Sequence, residues 1–598
     1  MVETSSDTAA RPTHAGRGYL EVVAEHVRRQ HDVMPLWRIK PLERGFHIQG
    51  MTYGELASSA QAHAAFFRAH GVQPGDRVVM SLSEAQRLLP AILGLMSMGA
   101  IAVPLQARSE FRTAELYRER MNRVCEDCRP RLILVEDLER WGVSMQGELP
   151  DAQALVARLA PGSVRELAFD PGSPDAPAII QYTSGSTGAP RGVVLTHANV
   201  AANVRAIGEG TQSTSRDRIV SWLPLHHDMG LISMLMGLYW NAPYHVLSPV
   251  EFLLRPIVWL RAISAFGATQ SVAPTFAYSL CWRKIPEAQL AGLDLSTWRV
   301  AYCGAEPIDP AVARGFCERF APYGFRETSF FPVYGLAETT LAATFPPVET
   351  KPVYDCVERD ALATGKAVPA SDNAGGAVTF VSVGQAFGGH AVEVRDPQTD
   401  APCLERFVGE VVVRGPSVSP RYYHEAPTSC RAELRTGDLG YLAAGRLFVI
   451  DRIKDLIIVR GANFAPADLE RCAAEVPGLR RGRVVAFALP GHEGTEAVHF
   501  VAELNPRGWR TQAAIAQEVR QRILVHVGLE VSGLALVAPG SIPRTSSGKV
   551  RRRACRDLYV AGSFPARLSL WRRMSMRWRL VVGLARQALA RRSVADGA

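Results

Sequence analysis

The sequence has no apolar stretch at its start, no internal repeat, and no apolar run free of helix breakers that is long enough to cross a membrane. Its opening, "MVETSSDTAARPTHAGRG", is polar, so residues 1–16 are expected to be a flexible N-terminus and not a secretory signal. The ten cysteines are scattered, which argues against a disulfide framework and fits a reducing cytoplasm. Cys125 and Cys128 make one C-x-x-C with no second pair to complete a zinc site, so two ordinary thiols near a helix end are expected. The uncharged run Leu88–Leu105 is broken by Pro90, Gly94, Gly99 and Pro104, and reads as a core helix followed by a buried strand. Net positive charge is concentrated in one place. Of the formal net charge of +9, the residues from Ser563 onward hold eight arginines against one aspartate. The rest is nearly neutral, which argues against a nucleic-acid-binding surface.

What the chain does have is globular texture: 598 residues, 47% apolar and 21% charged, too long for one core. Strand-like runs alternate with helical patterns through the first 340 residues: "RVVMSL", "AIAVPL", "RLILVED", "AIIQYT", "IVSWLPL", "ATQSVAP" and "WRVAYCGAE". That alternation predicts α/β layers with largely parallel sheets. From Val381 to Val413 the texture becomes β-rich, after a less regular stretch, Phe345–Thr379, that reads as an insertion. Beyond "LFVIDRIKDLIIVRG" a second, smaller domain of helices and strands runs to Gly562.

One segment raises a chemical question. In "QYTSGSTGAPRGVVLTHANV", the small residues Thr183, Ser184, Gly185, Ser186, Thr187 and Gly188 lie between a buried strand and a helix-like segment. Glycine and serine alone suit a flexible linker. Between a strand and a helix, the same residues let backbone N–H groups converge on an anion. "CGAEP" closes a strand, "VYGLAETT" places Glu338 just past an apolar stretch, "RTGDLGYL" offers Asp438 at a turn, and "IPRTSSGKVRRRACRDLY" carries Lys549. Taken singly, these acids are a helix cap and a turn residue, and the lysine a surface one.

In this order, from about Tyr53 to Tyr559, the motifs resemble the adenylate-forming superfamily of acyl-CoA synthetases, peptide-synthetase adenylation domains and luciferases. A closer resemblance, to the fatty acyl-AMP ligases, is carried by "VSWLPLHHDMGLI", "VAPTFAYSLCWRK", "DLSTWRVAYCGAEPI", "FFPVYGLAETTL" and the insertion with "YDCVERDALATGKAV". The resemblance implies a large ATP- and acyl-binding domain over 17–452, made of two α/β layered subdomains plus a small β-rich one. It also implies a small mobile C-terminal α+β domain over 453–562. The cofactors implied are ATP and Mg²⁺. The loop Thr183–Gly188 with Arg191 would hold phosphates, and Glu338 would hold the metal. Gly304, Ala305, Glu306, Tyr334, Gly335 and Thr339 would line the nucleotide site. Asp438, assisted by Arg452, would accept from the ribose hydroxyls. Lys549, His227 and Glu338 would be catalytic.

The chemistry calls for these residue types. Adenylation brings a carboxylate and a polyphosphate together, so cations must neutralise developing charge. "SSGKV" is no Walker loop, because Val550 follows where Ser or Thr is required. "HHD", His226–Asp228, on an extended segment would point successive side chains to opposite faces and not share one metal. Three departures from the family pattern stand out. Arg191 replaces a lysine, Asp451 replaces the glycine before Arg452, and Ala462 and Phe464 replace an arginine and a histidine.

The expected function is activation of a fatty acid to acyl-AMP, then transfer to an acyl carrier protein in trans, in a cytoplasmic enzyme. An acyl-CoA synthetase and a non-catalytic acyl-adenylate-binding scaffold are the alternatives. The tail 563–598 is expected to be a basic amphipathic helix, with Trp571, Met574, Trp578, Val581, Ala585 and Leu589 at helical spacing and arginines every seven residues. An anionic membrane surface, an acidic carrier protein or the small domain itself would each suit it.

Overall fold

A computed structural model describes residues 16–43, 45–108, 114–136, 167–168, 173–183, 191–371, 376–426, 433–459, 462–491, 496–506, 510–544 and 550–564. Ser184 to Gly188, Lys549, the tail from 565 and the N-terminal residues 1–15 lie outside the described residues. The chain divides into a large unit ending at Ile453 and a small unit starting at Lys454.

All seven strand-like runs form strands in the large unit. A five-stranded sheet has the spatial order Leu132–Val135, Arg77–Ser81, Ile101–Pro104, Pro177–Thr183, Arg191–Thr196. It is parallel except for its last pair, which is an antiparallel ribbon on either side of the small-residue loop. A seven-stranded sheet runs Phe330–Pro332, Val300–Gly304, Gln270–Pro274, Ile219–Ser221, Tyr244–Val246, Leu36–Pro41, Phe46–Met51. It too is parallel until the hairpin of its last two strands. The parallel strands are buried along nearly their whole length, as strands covered by helices on both faces must be.

The uncharged run folds as the helix Ala85–Ser97, which contains Pro90, followed by the strand Ile101–Pro104. A Cβ on Gly94 would lie 2.6 Å from the Ala60 carbonyl oxygen. The glycine therefore lets this helix touch the backbone of the helix Tyr53–Ala69. Among the described residues, no helix is long and apolar enough to cross a membrane.

The β-rich region is a four-stranded antiparallel sheet, Ala391–Arg395, Gly409–Arg414, Leu434–Ala443, Arg446–Arg452, which extends past Val413 as far as Arg452. The insertion has more order than its sequence suggests. Tyr354–Glu358 pairs antiparallel with Ala377–Val381, and a short helix, Arg359–Ala363, follows the first of them. It is fastened to the large unit through Asp355, which accepts from Arg406 at 3.0 Å and from the Tyr441 hydroxyl at 2.8 Å.

The small unit has its own core around Phe500 and Val519. Its sheet orders Leu479–Pro490, Glu496–Leu504, Val531–Val537, with helices Pro466–Ala474, Gln512–Val527 and Arg552–Val560.

Candidate active site

The motif residues of the large unit gather beyond the C-terminal ends of the parallel strands, where open α/β sheets bind ligands. The strand Val300–Gly304 ends where a Cβ on Gly304 would lie 2.7 Å from both Cγ2 and the carbonyl oxygen of Val333. Only glycine permits that approach. Ala305 follows with φ +66°, a left-handed conformation that an alanine adopts at a cost. The Glu306 carboxylate then accepts the Phe276 N–H at 2.6 Å, at the start of the helix Thr275–Lys284.

The neighbouring strand Phe330–Pro332 leads into "VYGLAETT". A Cβ on Gly335 would sit 1.8 Å from the Leu341 carbonyl oxygen, so the turn doubles back on itself at that residue. The 3₁₀ turn Ala337–Thr339 is closed by the buried Thr339 hydroxyl, which donates to the Leu336 carbonyl at 2.9 Å. Thr340 has φ +68°, and a β-branched residue there is strained. Asn203, fully buried, donates to the carbonyls of Thr339 and Ala342 at 3.2 and 2.9 Å and holds the turn from behind.

Tyr334 and Asp438 meet across this turn. The Tyr334 hydroxyl donates to Asp438 Oδ2 at 2.7 Å, and Arg452 Nε lies 3.1 Å from Oδ1. Asp438 and Arg452 also pair across the antiparallel ladder, so the backbone sets their spacing. Burial raises the Asp438 carboxyl pKa, with the Arg452 charge and the Tyr334 hydrogen bond opposing it. Asp451, in the place of a glycine, turns its carboxylate onto the Arg452 N–H at 2.8 Å and leaves the Arg452 side chain on Asp438.

Glu338 accepts the Tyr422 hydroxyl at 2.8 Å, and its carbonyl accepts the Ser419 N–H at 2.8 Å. The Arg191 guanidinium lies 5.2 Å from the centre of the Tyr422 ring, a cation–π contact. Arg191 begins the strand that leaves the small-residue loop, and Thr183 ends the strand that enters it. The Arg191 flank of the loop is thus tied to the Glu338 turn, and Thr183 pairs with Arg191 across the ribbon.

The run "HHD" is not extended throughout. His226 lies in a turn, His227 is extended (φ −93°, ψ 141°) as the N-cap residue, and Asp228 begins the helix Asp228–Tyr239. Gly230 packs on the Pro224 carbonyl where no side chain would fit, which permits the bend. His227 Nδ1 contacts Asp228 Oδ1 at 2.5 Å, and the Gln181 amide donates to the His226 carbonyl at 2.7 Å. Burial, with the charges of His227 and Arg120, lowers the His226 imidazole pKa to about 3. Among the described residues, no group of three or more His, Cys, Asp or Glu is placed to hold a metal ion. Burial pushes the thiols of Cys125 and Cys128 up to about 11 and 12.

Residues 25–423 match the family model described as "AMP-binding enzyme". The chain belongs to the AMP-binding enzyme family. The family span covers the loop, "CGAEP" and "VYGLAETT", and ends one residue past Tyr422, while Asp438, Arg452 and Lys549 lie beyond it. This AMP-binding enzyme is 32% identical over 540 residues to the medium-chain-fatty-acid–[acyl-carrier-protein] ligase JamA of Moorena producens (strain JHB), an alignment covering 86% of the chain and 91% of the relative. It is 35% identical over 528 residues to the long-chain-fatty-acid–AMP ligase FadD28 of Mycobacterium tuberculosis (strain ATCC 25618 / H37Rv), covering 82% and 89%. A solved structure from a study of fatty acyl-adenylate ligases of E. coli and L. pneumophila superposes with a TM-score of 0.82 at 32% identity, over 91% of this chain and 98% of that one.

Three contributors to the site carry little sequence signal: Asn203, Ser419 and Tyr422. Asn203 follows Asn199 by four residues in "HANVAANV", and two buried asparagines on one helix face are the one sign of its bracing role. Tyr422 sits in "SPRYYHEA", where nothing distinguishes it from its neighbour Tyr423.

Proposed function

We propose that the enzyme condenses a fatty acid with ATP to give acyl-AMP and pyrophosphate, and then acylates the phosphopantetheine thiol of an acyl carrier protein. In the first step a carboxylate oxygen bonds to the α-phosphorus and the bond to the bridging oxygen of pyrophosphate breaks. In the second the thiol sulfur attacks the acyl carbon, AMP leaves, and the thiol proton is released. The single observation that carries this reading is the convergence of Glu338 and the Tyr334–Asp438–Arg452 group on one strained turn beside the two flanks of the loop.

On this reading Thr183 to Gly188 and Arg191 receive the β- and γ-phosphates, and Asp438 takes the ribose hydroxyls with Arg452 beside it. Gly304, Ala305, Glu306, Tyr334 and Gly335 border the adenine, with Thr339 closing the turn behind them. His227 stands at the acyl–phosphate junction. Lys549 neutralises charge between the carboxylate and the α-phosphate, a task for a compact cation on a flexible stem. Glu338 fits a magnesium ion, because Mg²⁺ takes one or two carboxylates plus phosphate oxygens and not an all-protein cage. When bound, the ion would draw charge from the phosphate oxygens.

The test is product analysis with purified enzyme. Fatty acid, ATP and Mg²⁺ should accumulate acyl-AMP, a holo carrier protein should become acylated, and CoA should yield little acyl-CoA. Shortening the insertion within 345–379 should raise CoA turnover without improving adenylation. Rapid acyl-CoA formation by the intact enzyme would replace this reading with an acyl-CoA synthetase. Removing residues 563–598 should leave acyl-AMP formation intact, because every assigned residue precedes them. A salt-dependent loss of binding to the carrier or to anionic vesicles would identify the tail as a docking element.

A further inference from the structure

The segment Ser419–Glu425 is fixed at both ends and along its backbone. On one side it adds to the edge of the five-stranded sheet: Val194 N–H donates to the Arg421 carbonyl at 3.2 Å, and Tyr423 N–H to the Gly192 carbonyl at 2.8 Å. On the other it is clamped to the helix Ala114–Cys128, where His424 Nε2 lies 2.6 Å from Asp127 Oδ1 and the Tyr423 hydroxyl donates to the Cys128 carbonyl at 3.4 Å. Within the segment, Arg421 donates to the carbonyls of Tyr423 and Glu425, and the Tyr422 N–H donates to the Glu425 carboxylate at 2.9 Å. Tyr422 is therefore held in place independently of the groups its side chain meets.

That side chain packs against the large-unit core and, among the described residues, contacts two charged groups. Its hydroxyl is on Glu338 Oε1, and its ring lies under Arg191. A neutral donor on one carboxylate oxygen limits rotation of the carboxylate and leaves the other oxygen for a cation. An aromatic face under Arg191 orients the guanidinium without neutralising it, as an acid in that place would. We propose that Tyr422 is a positioning residue for both anion-handling halves of the site: its hydroxyl aims Glu338 at the metal, and its ring aims Arg191 at the phosphates. The proposal rests on the adenylation reading for the identity of the ligands, while the two contacts are properties of this chain.

The two roles separate by substitution in the full chain. Tyr422→Phe keeps the ring and removes the hydroxyl, and Tyr422→Leu removes both. Mn²⁺ serves as the probe for the metal, titrated by electron paramagnetic resonance in the presence of a non-hydrolysable ATP analogue. Melting temperature and the KM values for ATP and pyrophosphate are measured alongside, with Glu338→Gln as the control. Tyr422→Phe should weaken Mn²⁺ binding about tenfold, the usual cost of losing an outer-sphere partner, with melting temperature and metal-saturated KM for ATP unchanged. Tyr422→Leu should weaken Mn²⁺ binding equally and also raise the KM for ATP and pyrophosphate. Wild-type Mn²⁺ affinity in Tyr422→Phe, or an affinity loss matched by a fall in melting temperature, would overturn the proposal. A wild-type enzyme that forms no acyl-AMP would overturn the adenylation reading, and the metal titration would still decide the role of Tyr422.

Discussion

The turn carrying Glu338 in the large unit and the root of the loop carrying Lys549 in the small unit are held by different forces. The first is fixed by steric contact: Gly335 against the Leu341 carbonyl, Thr340 at positive φ, Asn203 bonded behind. The second is fixed by charge. Ile542 N–H donates to Glu503 Oε1 at 3.1 Å, Glu503 is fully buried, and Arg480 donates to its other oxygen at 2.6 Å. After the loop, Arg552 binds Asp455 at 3.1 Å and Glu470 at 2.9 Å. Backbone packing fixes a surface to a fraction of an ångström, as a nucleotide site needs. Ion pairs anchor the described residues on either side of Lys549.

The largest expected effect tests the role proposed for Lys549. Lys549→Ala should slow pyrophosphate exchange by about 10²–10³-fold or more, the cost of one preorganised charge-stabilising group. Transfer from preformed acyl-AMP should be largely spared, because the α-phosphate bond is already made. Equal loss in both half-reactions would overturn the assignment of Lys549 to adenylation alone.

The next effect compares two glycines. Gly335→Ala forces a methyl group into a backbone carbonyl and should destabilise by about 3 kcal/mol, the upper end of overpacking costs, with adenylation lost as well. Gly540, two residues before Ile542 at φ +85°, has open space around its Cβ position. Gly540→Ala should cost only the left-handed strain, about 1–2 kcal/mol, and keep activity. Similar costs and similar activities in the two variants would show that steric closure does not distinguish the large-unit turn.

A smaller effect probes the charge-held root. Glu503→Gln keeps an acceptor for Ile542 but loses the ionic bond to Arg480, and should cost about 1.5–3 kcal/mol, as for a hydrogen bond to a charged group. A fall in adenylation with acyl-adenylate binding to the large unit retained would place the damage at the lysine loop.

The division also explains what was legible in the sequence. The seven buried strands are legible because parallel strands covered on both faces are continuous apolar runs. Glu338, Asp438 and Lys549 are legible because they stand in ordered short motifs. The hairpin strand Phe46–Met51 has no fully buried residue, and the insertion is organised by Asp355 bonding to Arg406 and Tyr441, 51 and 86 residues away. The turn at His226 escapes an argument from extended geometry because it depends on Gly230 leaving room for the Pro224 carbonyl. Asn203 and Tyr422 act through bonds to residues 136 and 84 positions distant, and no local pattern encodes such partners.

The smallest effect concerns acid stability and sets neutral buried histidines in the large unit against the ion pairs of the small one. His245 is 6% exposed, with its ring centre 4.7 Å from that of Phe266 and 6.0 Å from that of Trp37, and Nδ1 is 3.2 Å from the Ile219 carbonyl oxygen. Burial lowers its pKa to about 4, and that of His197 likewise to about 4. Between pH 4 and 6.5 the folded chain therefore binds fewer protons at these sites than the unfolded chain does. Their contribution is fully present above about pH 6.5, is lost as the pH falls, and levels off below about 4. At pH 5 the loss from His245 alone should be about 1–2 kcal/mol. Melting curves of the wild type and His245→Gln at pH 7.5 and 5.0 check the sign. The variant should start lower, because the glutamine packs poorly between the rings, but should lose less on acidification. Parallel losses in the two proteins would assign the acid sensitivity to the carboxylates of the ion pairs and not to the buried imidazole.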